Sequence, residues 1–165
     1  MPGALDLRQA TSADAEAIRA IYNLEVLDST ITFDLVARTL DEQKQWIDEH
    51  SGAHPAIVAL ADGSIVGFGS LSPYRDRPGY RTTVEDSVYV HRDHRGSGIG
   101  HALLAELVRL AEAHGFHAMM ARIVDGHTAS IQLHTSLGFE LVGVEREVGR
   151  KFGTWLDVAL MQLLF

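Results

Sequence analysis

Cysteine is absent from all 165 residues. That excludes disulfides, thiolate metal sites and cysteine nucleophiles, so any chemistry must use oxygen, nitrogen or backbone groups. Proline is scarce, at four residues. No Pro/Gly/Ser-rich tract, low-complexity segment or repeat divides the chain, and one domain over residues 1–165 is expected. Positive charge is also short: 14 Lys and Arg stand against 22 Asp and Glu, a formal net charge of −8. A broad basic stripe is missing, so no nucleic-acid partner is expected. No apolar run approaches the length that crosses a bilayer, and no membrane partner is expected. The first ten residues carry no basic stretch followed by an apolar one, so no secretory leader is expected and the cytoplasm is the expected location.

What is present is ordinary globular patterning. Alternation or short apolar runs predict strands at residues 5–8, 56–60, 65–71, 82–90, 118–124, 141–148 and 155–164. The run at 118–124 is apolar enough to be buried on both faces. Helical spacing predicts one helix from Thr11 and Ser12 to about residue 27, with Ile18, Ile21 and Tyr22 on one face. A second opens at the Thr39/Glu42 capping pattern and carries Trp46. A third holds Leu103, Leu104, Leu107, Val108 and Ala111, and a fourth covers residues 129–137. The order β-α-α-β-β-β-α-β-α-β-β predicts an α/β (α+β) fold, a mixed sheet with packed helices.

The sharpest motif lies where a strand hands over to the third helix: Val88-Tyr89-Val90, four residues, then Arg95-Gly96-Ser97-Gly98-Ile99-Gly100-His101. Glycines let backbone approach an anion, and a helix N-terminus offers unpaired N–H groups, a combination suited to a diphosphate. Arg92, Arg95 and His101 add positive charge beside it. Read alone, the run serves equally well as a bare turn. It is neither a Rossmann fingerprint, which needs glycine where His101 stands, nor a P-loop, which needs Gly-Lys-Ser/Thr.

Arg95-Gly96-Ser97-Gly98-Ile99-Gly100 resembles the R/Q-x-x-G-x-G/A acetyl-CoA loop of the GNAT acetyltransferases. Ser130 to Phe139, with its Leu137-Gly138-Phe139 ending, resembles that family's last helix. The resemblance implies a mostly antiparallel central sheet splayed at its fourth strand and flanked by helices. It implies acetyl-CoA as co-substrate, with no metal. Val88, Tyr89 and Val90 would meet the pantetheine arm through their backbone, and Arg95, Gly96, Ser97, Gly98, Ile99, Gly100 and His101 would hold the diphosphate. Ser130, His134 and His127 would also face the cofactor, although the family often has asparagine where His127 stands.

Three further stretches are similar to the phosphinothricin and methionine sulfoximine acetyltransferases: Ser29 to Phe33, Tyr74 to Tyr80 leading into Thr83 to Ser87, and Gly149 to Val158. They imply N-acetylation of a small amino-acid-like molecule at its α-amine, by direct transfer in a ternary complex, and a homodimer. Phe33, Arg75, Asp76, Arg77, Tyr80, Glu85, Asp86 and Ser87 fall at substrate-side positions. Glu85 matches the family's general base, acting directly or through water. Backbone N–H groups at Tyr89 would stabilise the oxyanion. His134 stands where many GNAT enzymes place a tyrosine, either as proton donor to the leaving thiolate or as a cofactor contact. Alternatives are another amine (a polyamine, an aminoglycoside or a protein N-terminus) or a non-catalytic acetyl-CoA sensor. His91-x-x-His94 and His114-x-x-His117 lack carboxylate or thiolate company, so no metal site is expected there.

Overall fold

The computed structural model describes residues 4–165. Seven strands form one sheet: β1 (Asp6–Gln9), β2 (Ala56–Ala61), β3 (Ser64–Pro73), β4 (Thr83–Val90), β5 (Ala118–Val124), β6 (Glu140–Lys151) and β7 (Thr154–Leu164). Four helices pack on it: α1 (Ala15–Asp28), α2 (Leu40–Glu49), α3 (Ile99–Ala113) and α4 (Thr128–Ser136). The strand order is β1-β2-β3-β4-β5-β7-β6, and every neighbouring pair is antiparallel except β4 with β5. No helix among the described residues is long and apolar enough to cross a membrane.

Local sequence explains the elements. The Thr39 capping box forms as expected: Thr39 N–H donates to Glu42 Oε2 at 2.7 Å, and Glu42 N–H donates to Thr39 Oγ1 at 3.2 Å. At the first helix the chain takes a 3-10 turn over Ser12–Asp14 before α1 begins, with Asp14 accepting both Thr11 N–H and the Arg8 guanidinium. β6 runs three residues beyond the expected strand, because a bulge absorbs Glu147 at φ 51° and the ladder to β7 then resumes as far as Lys151.

Two cores flank the sheet. One joins α3 to Val84, Met119, Ala121 and Met161; the other joins α1 and α2 to Val58 and Phe68. Gly67 and Gly69 on β3 let α3 lie close. A Cβ on Gly69 would sit 2.9 Å from Leu107 Cδ1, and one on Gly67 would sit 3.0 Å from Leu103 Cδ1. That contact fixes where the N-terminus of α3 meets the end of β4.

One strand departs from expectation. β5 is buried along most of its length, but Arg122 is exposed. Its neighbours Ala121 and Ile123 face the α3 core, so strand alternation turns Arg122 to the opposite side of the sheet.

Candidate active site

The sheet opens at its parallel pair. β4 pairs with β5 at Thr83, Val84 and Glu85, ending at Glu85 opposite Met120. Beyond that point β4 stays paired with β3 as far as Val90, and β5 stays paired with β7 as far as Val124. The two strands therefore part at Glu85, leaving a cleft of about 430 Å³ between them.

Register decides which backbone groups face the cleft. His91 N–H bonds Val66 O at 2.8 Å. Antiparallel pairs exchange bonds at every second residue. Tyr89 and Ser87 therefore spend their N–H and C=O groups on Phe68 and Ser70 of β3. Val88 and Val90 turn theirs toward the space β5 has left. Tyr89 lines the cleft as expected of a cofactor-facing residue, but its N–H is committed to the ladder, which corrects its expected role as oxyanion donor. Its ring packs on the α1 and α2 side, stacking on Phe68 at 5.1 Å and meeting Tyr22 edge-on at 5.2 Å. Burial, then the neighbouring Tyr22, pushes its phenol well above the ordinary range.

The mouth of the cleft is the glycine turn. Gly96 and Gly98 have φ of 77° and 84°, a region costly for other residues, and no atom lies within 4 Å of where a Cβ would be. The first bond closing α3 runs from Ala102 N–H to Gly98 O at 3.0 Å. The N–H groups of Ile99, Gly100 and His101 precede it and are the helix's orphan donors. His94, Arg95, Gly96, Gly98, Ile99, Gly100, His101 and His127 all line this end. These donors fit a diphosphate, and the widening strand pair fits an extended arm with its own amides.

Two residues of the turn are otherwise engaged. Ser97 is not part of the lining, and its hydroxyl donates to His94 O at 2.5 Å. Arg95 lines the cleft, but its guanidinium binds Glu25 Oε1 at 2.7 Å. Glu25 also accepts from Arg92 at 3.0 Å and from Ser29 at 2.6 Å, and it is 2% exposed. Burial opposes its charge, but the Arg92 and Ser29 hydrogen bonds and the Arg95 charge outweigh burial, and its pKa falls below the ordinary value. Glu25 was missed in the sequence, although it sits on the core face of α1 with Ile18, Ile21 and Tyr22.

At the vertex, adjacent residues of β4 face opposite ways. Val84, Val88 and Val90 pack toward α3, while Tyr89 packs toward α1 and α2. Glu85 and Ser87 share the Tyr89 side, and Asp86 shares the α3 side. Asp86 was expected on the substrate side; strand alternation instead buries it against α4. Its Oδ2 meets His134 Nε2 at 2.9 Å, and Ser130 O meets His134 Nδ1 at 2.8 Å. Asp86, Ser87, Ser130 and His134 all line the cleft.

Glu85 is half-buried on the other face and does not line the cleft itself. Burial raises its pKa, with the Asp86 charge adding to that, while Arg122 and Arg75 pull it back. Arg75 lies over the rings of Tyr74 and Tyr80, at 5.0 and 5.6 Å. Asp76 and Arg77 are exposed on the same loop. Phe33, 39% exposed, packs so closely over Gly149 that a Cβ there would overlap the ring. Besides Glu25, three contributors were not singled out from the sequence. Ile31 and Arg122 line the cleft, with Arg122 held by Glu145 Oε1 at 2.7 Å, and Gly149 makes room for Phe33. A lone cation inside an apolar strand was the available signal for Arg122. Among the described residues, no group of three or more His, Asp or Glu stands close enough to hold a metal ion.

The comparisons with known proteins agree with this geometry. Residues 7–160 match the family model for an acetyltransferase (GNAT) domain. The chain is 43% identical over 159 residues to the L-methionine sulfoximine/L-methionine sulfone acetyltransferase of Pseudomonas aeruginosa, covering 95% of this chain and 92% of that one. It superposes on a phosphinothricin acetyltransferase of Sinorhizobium meliloti in complex with acetyl-CoA with a TM-score of 0.94, at 40% identity, covering 98% of this chain and 88% of that one. A protein of Salmonella typhimurium, solved with its cofactor acetyl-CoA, gives a TM-score of 0.95 at 38% identity, covering 98% and 94%. With its fold and nearly all of its length accounted for in this way, the chain belongs to the GNAT family of acetyltransferases.

Proposed function

We propose that the chain transfers the acetyl group of acetyl-CoA to the α-amine of a small amino-acid-like substrate of the phosphinothricin, methionine sulfoximine or methionine sulfone type. The observation that carries this reading is the vertex where β4 and β5 part. It sets a half-buried carboxyl with a raised pKa, Glu85, on one face of β4 and a buried histidine, His134, in the cleft on the other face.

In this reading the diphosphate lies on the orphan N–H groups of α3 and the pantetheine arm follows Val88 and Val90. The acetyl carbon then reaches the vertex. An ammonium cannot attack a thioester, so the amine must first lose a proton. Glu85 takes it, directly or through water, and its raised pKa makes it a better base than an ordinary glutamate. The amine nitrogen attacks the carbonyl carbon, and the oxyanion that forms is met by Val88 N–H. The C–S bond breaks, its electron pair goes to sulfur, and sulfur takes a proton from the His134 side. Transfer is direct; the chain has no cysteine to carry an acetyl group. Phe33, Tyr80, Arg75 and Arg77 form the substrate side, where a guanidinium suits a carboxylate or a tetrahedral oxo head.

Two coarser features fit the same account. β6 is an edge strand whose Leu141, Val142, Val144 and Val148 are exposed together with Trp155 of β7, and a second copy covering that face would make the homodimer. A cytoplasmic setting, as the sequence led us to expect, is the second. The test is a panel of phosphinothricin, methionine sulfoximine, methionine sulfone, a polyamine and an aminoglycoside, read by release of free CoA thiol. Turnover confined to the amino acids supports the reading. Turnover confined to the polycations, or none with any amine despite cofactor binding, sinks it.

A further inference from the structure

Both ring nitrogens of His134 face groups that only accept. Ser130 O lies 2.8 Å from Nδ1, and Asp86 Oδ2 lies 2.9 Å from Nε2. A neutral imidazole has one N–H and can satisfy only one of them. The Asp86–His134 pair must therefore hold a proton on Nδ1 and a second one between Nε2 and Oδ2. His134 is 3% exposed and Asp86 is 7% exposed, so water does not dilute this contact. The second oxygen, Asp86 Oδ1, is buried with no hydrogen-bond partner among the described residues and leaves the carboxylate's charge to the imidazole.

We propose that Asp86 is a positioning residue for the acid step: it holds His134 doubly protonated in the working pH range, so that the pair supplies the proton taken by the departing CoA sulfur. As the C–S bond breaks and its electrons pass to sulfur, the Nε2–H···Oδ2 contact opens, the Nε2–H bond breaks and an S–H bond forms, while Nδ1–H stays on Ser130 O. The neutral imidazole regains its proton from water, into which Glu85 releases the one it took from the amine. Without Asp86 the ring would be a neutral imidazole, a poor acid. Burial opposes the charged form of His134, and the Asp86 hydrogen bond and charge together with Ser130 O overcome it, leaving the pKa raised.

Among the described residues, no other charged group competes at the ring. On α4 itself, His127 stands at the N-cap with its pKa lowered by burial and then by Arg95. On α3 the nearby titratable group is His101, at the cleft mouth. Glu85 on β4 and Arg122 on β5 point to the far side of the sheet. An apolar neighbour closes another side of the imidazole, with the ring of Phe139 edge-on at 5.0 Å.

This inference rests on the cleft being the acetyl-CoA site, so the test has an arm that needs no turnover. In ¹⁵N spectra of the protein bound to a non-reactive acetyl-CoA thioether, both His134 nitrogens are expected to read as protonated above pH 6.5, where a free histidine is about half neutral. Asp86→Asn should lower that titration midpoint by about 1–3 pH units. The alkaline limb of kcat should fall with it, and KM for acetyl-CoA should hold. If Asp86→Asn does not fold, the wild-type enzyme decides alone: the spectroscopic midpoint and the alkaline limb of kcat must coincide. A neutral His134 ring at pH 7 would overturn the proposal, and so would a kcat limb that ignores the ring's titration. Failure of the parent reading looks different: no acetyl-CoA binding at all.

Discussion

The two faces of β4 are built from different materials. On the α3 side, Asp86 and His134 are locked between a strand and a helix and are almost wholly buried. On the other side, Glu85 looks out on loops: Phe33 is 39% exposed, and Arg75, Asp76 and Arg77 are exposed as well. The donor half of the site is thus part of the fold, while the acceptor half is carried by segments that can change without disturbing a core. A GNAT scaffold can keep its acetyl donor and exchange its amine in this way. The sharpest way to break the comparison is Glu85→Gln. It removes the base without touching the donor half, so kcat should fall by about 10²–10⁴-fold while calorimetry finds unchanged acetyl-CoA affinity. In the wild type, kcat should rise as pH climbs through a carboxyl pKa above the ordinary range, because burial disfavours the Glu85 carboxylate. A variant that turns over normally would remove Glu85 from the reaction.

The buried carboxylate of α1 tests whether the donor half owes its rigidity to charge. Glu25 gathers Arg92, Arg95 and Ser29, tying the glycine turn to the first helix. Glu25→Gln should destabilise the fold by about 2 kcal/mol, less than the roughly 3–5 kcal/mol of a wholly buried pair, because the arginines are partly exposed. The pH dependence follows from its lowered pKa. The unfolded chain binds the proton more readily, so the stabilisation is complete above the unfolded carboxyl value of about 4.3 and is lost as pH falls through the folded one. Tm measured from pH 7 to pH 3 should therefore fall less steeply in the variant than in the wild type.

A smaller effect is expected on the acceptor side. Gly149→Ala would drive a Cβ into the ring edge of Phe33. The backbone there is not left-handed, so the strand tolerates alanine, and the half-exposed ring is what must move. KM for the amine should change by roughly tenfold with kcat nearly held, the size of a lost apolar contact in a pocket. A shift in acetyl-CoA affinity instead would mean that Phe33 belongs to the donor half.

The donor half was also the legible half. Strand–turn–helix punctuation and three glycines marked the cleft mouth in the sequence alone, because the phosphate-binding turn is local in the chain. The splay was expected only by resemblance, since nothing in 82–90 or 118–124 says where two strands part. Asp86 was assigned to the wrong face: its neighbours Glu85 and Ser87 carry the substrate-side pattern, and only strand alternation referred to a known core separates them. The Tyr89 N–H failed as oxyanion donor for a related reason, because which backbone groups a strand has to spare depends on register with β3. Arg122, Gly149 and Glu25 act across long sequence separations, through Glu145, Phe33 and Arg95 respectively, and a single sequence contains no record of those pairings.

Arg122 provides the finest test of how the two faces communicate. It lines the cleft from the acceptor side, is held by Glu145, and its charge favours the Glu85 carboxylate. Removing it in Arg122→Ala leaves burial and the Asp86 charge to act with only Arg75 opposing them, so the Glu85 pKa should rise further. The acid limb of kcat should then move to higher pH, by about half a unit, since Arg122 is one-third exposed and already paired. Glu145→Gln has the opposite sign: it frees the guanidinium's full charge for Glu85, and the acid limb should move down. The alkaline limb should stay in place in both variants, because His134 lies on the other side of the strand. Opposed shifts of one limb with the other fixed would show that each face of β4 sets its own proton; a common shift of both limbs would show that Glu85 and His134 titrate as one coupled system.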